Sequence, residues 1–279
     1  MSSPKRGSIM KSVRKKILSD SVQVTVSADE ALSMMVDADL STHQYKIIRQ
    51  RINKLVKNLL PSYDRIKEAK KKCYPSNKTV TELTATCDLQ SLVDHSIERL
   101  CLSQKEVLGS MEDLHSGVKE LSLLIKWGCD GAQQKSYKQK ICSENKFDEN
   151  LFSISMVPIQ LRLNVEENNI IVWQNPAPSS TRYCRPIRFN FAKETTSLIK
   201  EEVDMIQQQI ELLSPVEVSL DNFNILVKPV FMLTMIDGKI CSALSDVSSS
   251  SQTCYICGAK PSEMNNPSLI LMKPLDQTA

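Results

Sequence analysis

The chain has 279 residues, of which 41% are hydrophobic, with 35 Lys and Arg against 32 Asp and Glu, enough apolar material for one substantial core and a smaller module. No run of about 18 apolar residues occurs, and the first 20 residues carry six basic side chains without an apolar stretch, which argues against a membrane span and a secretory signal. Nine cysteines in such a chain point to reduced thiols of the cytosol or nucleus rather than to disulfides.

Charge is unevenly spread. Residues 1–78 hold 17 basic and 7 acidic side chains, and residues 79–279 hold 18 and 25, so a basic front that suits a polyanion precedes an acidic rear. Residues 1–26 form a Ser- and Lys-rich leader without periodicity, open between an inert tail and a phosphate-touching arm or nuclear address. Residues 27–120 read as a helical, basic DNA-binding or dimerisation region. A short helix is expected over 28–40. Ser41 or Thr42 caps a second, running from His43 to Leu60 on the stripe Ile47, Ile48, Ile52, Leu55, Val56, Leu59 and Leu60, with Lys46, Arg49, Arg51, Lys54 and Lys57 off it. Ser62 caps a third, carrying Lys70, Lys71 and Lys72 before Pro75. Those eight basic residues are the candidate DNA contacts, made to the backbone rather than to base edges. Thr79–Thr86 is a short strand or a linker, and 88–120 a helical hairpin containing His95 and His115, which are packing or surface residues rather than ligands.

Leu121 to Gly131 is an apolar run ending on Asp130, with a glycine on each side of the Cys129-Asp130 pair, and Val227 to Gly238 is a second run that delivers Asp237 and then a glycine. Two buried-type strands ending in Asp-Gly place two carboxylates at one sheet edge. Such carboxylates repel unless a cation lies between them, and a Mg or Mn pair used for phosphoryl displacement on nucleic acid is the usual answer. Asp-Gly is also an ordinary turn signal. Between the runs, Leu151–Leu163 and Ile170–Gln174 form a β-hairpin and Glu194–Leu213 a helix.

KWGCDG at 126–131, QNPAPSSTRYCRPIRFNFAKE at 174–194, TMIDGKICSAL at 234–244 and CYIC at 254–257 together resemble the catalytic subunit of the V(D)J recombinase and the Transib-type transposases, in register from about Leu121 to Met264. The resemblance implies an α+β chain: a helical N-terminal region, then an incomplete RNase H-like mixed sheet with flanking helices over 121–247, its first and fourth strands adjacent and parallel. Residues 248–279 would begin a zinc-binding insertion. Asp130 and Asp237 would be catalytic, metal-binding aspartates and Glu194 an accessory acid. Cys254 and Cys257 would be the cysteine half of a zinc site. The expected partner is DNA in the nucleus, with a homodimer allowed and no membrane or small-molecule substrate. The family's last catalytic glutamate and its zinc histidines follow in a long helical insertion, and here the sequence stops 22 residues after Cys257. The expectation is therefore the front part of a transposase, inactive in nicking and strand transfer by itself. The alternatives are a non-catalytic DNA-binding protein derived from a transposase and a zinc-ribbon-like interaction protein, against which the lack of a second C-x-x-C pair argues.

Overall fold

A computed structural model describes residues 25–111, 119–133, 140, 148–165, 168–220, 223–245 and 253–273. The basic leader, apart from its last two residues, and His115 lie outside these. The chain divides into two compact units at Tyr74 and Pro75.

The first unit contains α1 (Ala28–Asp37), α2 (Thr42–Leu55) and α3 (Tyr63–Lys72). Ser27 and Ser41 close capping boxes with Glu30 and Gln44, and Ser62 accepts from the Arg65 amide, so each helix starts on a serine that satisfies a free N–H. Ala31, Tyr45 and Ile66 form the small core, and the Tyr45 hydroxyl donates to Pro61 O at 2.8 Å. The helix expected to reach Leu60 stops at Leu55. Asn58 takes a left-handed φ of 61°, and the Asn53 side chain accepts from Leu60 N and donates to Leu60 O, replacing the helical ladder with a tight return. The expected stripe is corrected accordingly: the residue that α2 buries is Tyr45, outside that stripe, whereas Ile47, Leu55 and Val56 of the stripe are exposed and Leu60, beyond the helix, is buried.

The second unit is built on an eight-stranded mixed sheet, in order β1-β2-β6-β4-β3-β8-β7 with β5 also on β4. Its strands are β1 (Lys78–Val80), β2 (Thr84–Cys87), β3 (Lys119–Gln133), β4 (Asn150–Val165), β5 (Asn168–Gln174), β6 (Arg185–Asn190), β7 (Val216–Leu220) and β8 (Phe223–Leu233). Helices α4 (Leu89–Ser103), α5 (Lys105–Ser110), α6 (Thr196–Glu211), α7 (Gly238–Leu244) and α8 (Pro267–Leu271) complete it. Leu89, Leu92, Val93 and Ile97 of α4 and Ile199, Val203 and Ile206 of α6 share one core with alternate β3 residues Leu121, Leu123, Ile125, Trp127 and Cys129. The sheet unit thus begins at Pro75, upstream of the Leu121 start read from sequence, because β1, β2 and α4 belong to it.

Strands β3 and β8 are adjacent and parallel, and β3 and β4 antiparallel, as expected of an RNase H-like α+β arrangement. Strands β6 and β7 add to the sequence reading. Strand β8 runs earlier than expected and ends at Leu233, short of Asp237. Among the described residues no helix is long and apolar enough to cross a membrane.

Candidate active site

The β3 to β8 ladder runs from Lys119 opposite Ile225 to Trp127 opposite Leu233. There β8 leaves the sheet: the amides of Thr234 and Met235 both donate to the single carbonyl of Trp127, at 3.1 and 3.0 Å. Gly128 makes this turn possible, since a β-carbon on it would run into the Met235 carbonyl. Two residues later Asp237 caps α7, its Oδ1 accepting from the Ile240 amide at 2.9 Å. The second aspartate therefore sits at a helix N-terminus, not on the strand as the sequence suggested, and one carboxylate oxygen is taken by the cap.

Asp130 is still within β3, opposite Ser153 of β4, whose hydroxyl donates to its carbonyl at 3.1 Å. Partial desolvation first, then the carboxylates of Asp237 and Glu194, hold its carboxyl above the ordinary range, although the residue as a whole is exposed. The charges of both other acids singled out from sequence are thus felt at Asp130.

Glu194 lies between β6 and the Thr195 cap of α6, just outside the helix. Its side chain is 13% exposed and backs onto Gly131, where a β-carbon would overlap it. Lys239, on the first turn of α7, brings its ammonium to 2.6 Å from Glu194 Oε1. That oxygen is buried and the contact lacks hydrogen-bond geometry, so it is an ion pair and no more. Beneath the acids, burial first and then the Glu194 and Asp130 charges push the Cys129 thiol up to about 12.

A second acidic feature escaped the sequence. Glu202 on α6 is 5% exposed, pairs with Arg188 Nε at 3.1 Å and accepts from Asn190 at 3.3 Å, which ties the helix to β6. Only the helical stripe of α6, with position 202 beside Val203 on its inner side, could have signalled it.

Cys254 and Cys257 form a knuckle. Gly258 turns at φ 65°, its amide donating to Cys254 O at 2.8 Å, and backbone N–H groups of Cys257 and Ile256 aimed at the Cys254 sulfur hold that thiol below its ordinary range. Cys241 neighbours Tyr255, whose hydroxyl it perturbs. Among the described residues no three His, Cys, Asp or Glu side chains are grouped as a ready metal cage.

Of the candidate DNA contacts in the first unit, Arg51, Lys54, Lys57, Lys70, Lys71 and Lys72 are exposed. Lys46 lies over the Tyr63 ring at 5.5 Å, and Lys71 pairs with Glu68 at 2.9 Å. Arg49 differs in that its Nε donates to Leu60 O at 3.3 Å, holding the return after α2.

Residues 123–252 match the family model described as the Recombination-activation protein 1 (RAG1) RNase H domain. The match takes in Asp130, Glu194 and Asp237 and stops short of Cys254. Among curated proteins none matches the chain.

Proposed function

We propose, from the match of residues 123–252 to the RNase H domain model of recombination-activation protein 1, that this chain is a DNA transposase or recombinase derivative in which Asp130 and Asp237 hold divalent metal and Glu194 stands in reserve. The reading is supported by the place of the two aspartates, Asp130 on β3 just past its parallel ladder with β8 and Asp237 on the turn that follows β8, and by the Asp237 charge being felt at Asp130. Carboxyl ends of adjacent parallel strands are where α/β sheets build sites.

The two aspartates suit a hard cation that keeps several waters, since carboxylate oxygens are the donors Mg and Mn prefer, and besides desolvation it is the Asp237 and Glu194 charges felt at Asp130 that a cation would relieve. Asp237 has one oxygen clear of the cap, its other accepting from the Ile240 amide. When bound, the metal would supply electrostatic stabilisation of charge developing on a phosphodiester. The chain's own part is positional: Gly128 and the Trp127 carbonyl fix the Asp237 turn, and Ser153 anchors the Asp130 backbone. The exposed lysines and arginines of the first unit would bind DNA phosphates without reading sequence, and the paired thiolates of Cys254 and Cys257 would supply two of the four ligands of structural zinc.

A non-catalytic DNA-binding role is the second reading, favoured by Lys239, which engages Glu194 and leaves two aspartates for the work of a two-ion centre. Incubating the full chain with supercoiled DNA and Mn, beside Asp130→Ala and Asp237→Ala controls, separates the two. Nicking lost in both controls establishes the enzyme. Nicking no greater than in the controls, with DNA retention intact, establishes the binding protein.

A further inference from the structure

Among the described residues, Lys239 is the lysine that pairs with one of the three acids. Asp237 caps the helix whose first turn carries it, so its stem is anchored beside one proposed metal ligand while its ammonium meets another, Glu194 Oε1, at 2.6 Å. The two ends of this pair differ. The lysine side chain is 65% exposed and the glutamate 13%. Gly131 leaves no room for Glu194 to shift toward β3. Next to the pair is a cavity of about 160 Å³ bordered by Gly131, Asn150, Leu151, Glu194 and Lys239, larger than the roughly 30 Å³ that one water occupies in the liquid.

A buried carboxylate needs a counter-charge, and here the chain supplies it from a flexible, solvent-facing stem. An ammonium on such a stem can swing out to water once another cation takes its place, and an ion pair without aligned hydrogen bonds is the weaker kind. A divalent ion attracted by Asp130 and Asp237 meets Glu194 already neutralised.

We propose that Lys239 is a tethered counter-cation of the carboxylate cluster, and that divalent metal takes Glu194 as a ligand only by displacing it. This rests on the metal reading of Asp130 and Asp237. Metal affinity is then lowered by the fraction of time the pair is closed, and removing the charge at position 239 tightens binding. For a partly exposed pair the gain is about five- to tenfold.

The test uses the full chain and Mn as probe, followed by electron paramagnetic resonance. Lys239→Gln is expected to bind Mn about five- to tenfold tighter than wild type, Lys239→Arg like wild type, and Asp130→Asn to lose the site. Equal or weaker binding by Lys239→Gln, with the Asp130-dependent site present, overturns this inference alone. No Asp130-dependent Mn in either protein overturns the metal reading and this one with it. A measurement on wild type guards against a variant that fails to fold: acetylation of Lys239, read by mass spectrometry, should accelerate severalfold on adding Mn. An unchanged or slower rate overturns the displacement.

Discussion

Gly131 and the Glu194 side chain occupy the space of a single β-carbon: one added to the glycine would overlap the glutamate's carboxylate and its own Cβ. Gly128, three residues earlier on β3, stands in the same relation to the main chain of Met235. The glycines flanking Cys129 and Asp130 are thus places of close approach, and φ plays no part at either.

The obstacle at Gly128 is backbone and that at Gly131 is a side chain, so the two should differ in cost. Gly128→Ala is expected to destabilise the second unit by about 3 kcal/mol, and Gly131→Ala by about 1 kcal/mol while displacing Glu194. Urea unfolding of both variants is the check, and equal midpoints would contradict the assignment.

The Glu202 and Arg188 pair is largely out of water, with side chains 6% and 24% exposed. Removing one partner strands a buried charge. Glu202→Ala should cost about 3 kcal/mol, and the double change Glu202→Leu with Arg188→Met should recover most of it. Additive losses in the double variant would mean that the pair does not act as a unit.

Asp130 gives a pH dependence of unusual sign. Its carboxyl is raised in the folded chain, so the native state holds the proton more tightly than the unfolded one, and this group's contribution to stability falls as pH rises through the window between the two values. At neutral pH the ionised acid is a burden. Asp130→Asn should therefore melt higher than wild type at pH 7 and gain nothing at pH 3. A lower melting temperature at pH 7 would reverse the argument.

Thiol chemistry should separate the cysteines by environment. Cys101 and Cys129 are buried, with burial as the leading cause of thiols pushed up to about 12, whereas Cys254 is lowered by the N–H groups of Cys257 and Ile256. Iodoacetamide at pH 7.5 should modify Cys254 first and reach Cys101 and Cys129 only on unfolding. Zinc should slow the Cys254 reaction but be held well below one per chain, as two thiolates leave half a coordination shell open. Chelator-resistant, stoichiometric zinc would point to further ligands, Cys241 among them.

Binding of duplex DNA by the full chain should weaken steeply with salt. Changing Lys70, Lys71 and Lys72 together to Ala should reduce the slope of log K against log salt by about 2 to 3. Arg49→Ala should act on folding instead, since that side chain holds Leu60 O. A slope unchanged by the triple substitution would move the DNA surface elsewhere.

What could be read from sequence follows from pattern length. Strand β3, the β4 and β5 hairpin and helix α6 carry enough apolar pattern to be read from their residues, whereas the parallel pairing of β3 with β8 came from the family resemblance. Strand β6 carries Pro186, Arg188 and Asn190, and β7 alternates over only five residues, too little signal beside a helix. Glu194 stood out only through the family resemblance, because nothing local distinguishes it from Glu201 or Glu211. The roles of Lys239 and Glu202 depend on partners distant in sequence, which no window along the chain contains.

The oxygen of Trp127 ends one strand's ladder and receives two amides from the other. Neighbouring bonds of a β ladder share their load, but here the load of the whole Asp237 turn is concentrated on one acceptor. Release at that point would free Thr234 and Met235 in the same event, and the distance between the two aspartates would change without any loss of pairing upstream. The β3 and β8 ladder upstream does not depend on these two bonds, so a change at this one peptide group would alter the spacing of Asp130 and Asp237 and leave the sheet as it is.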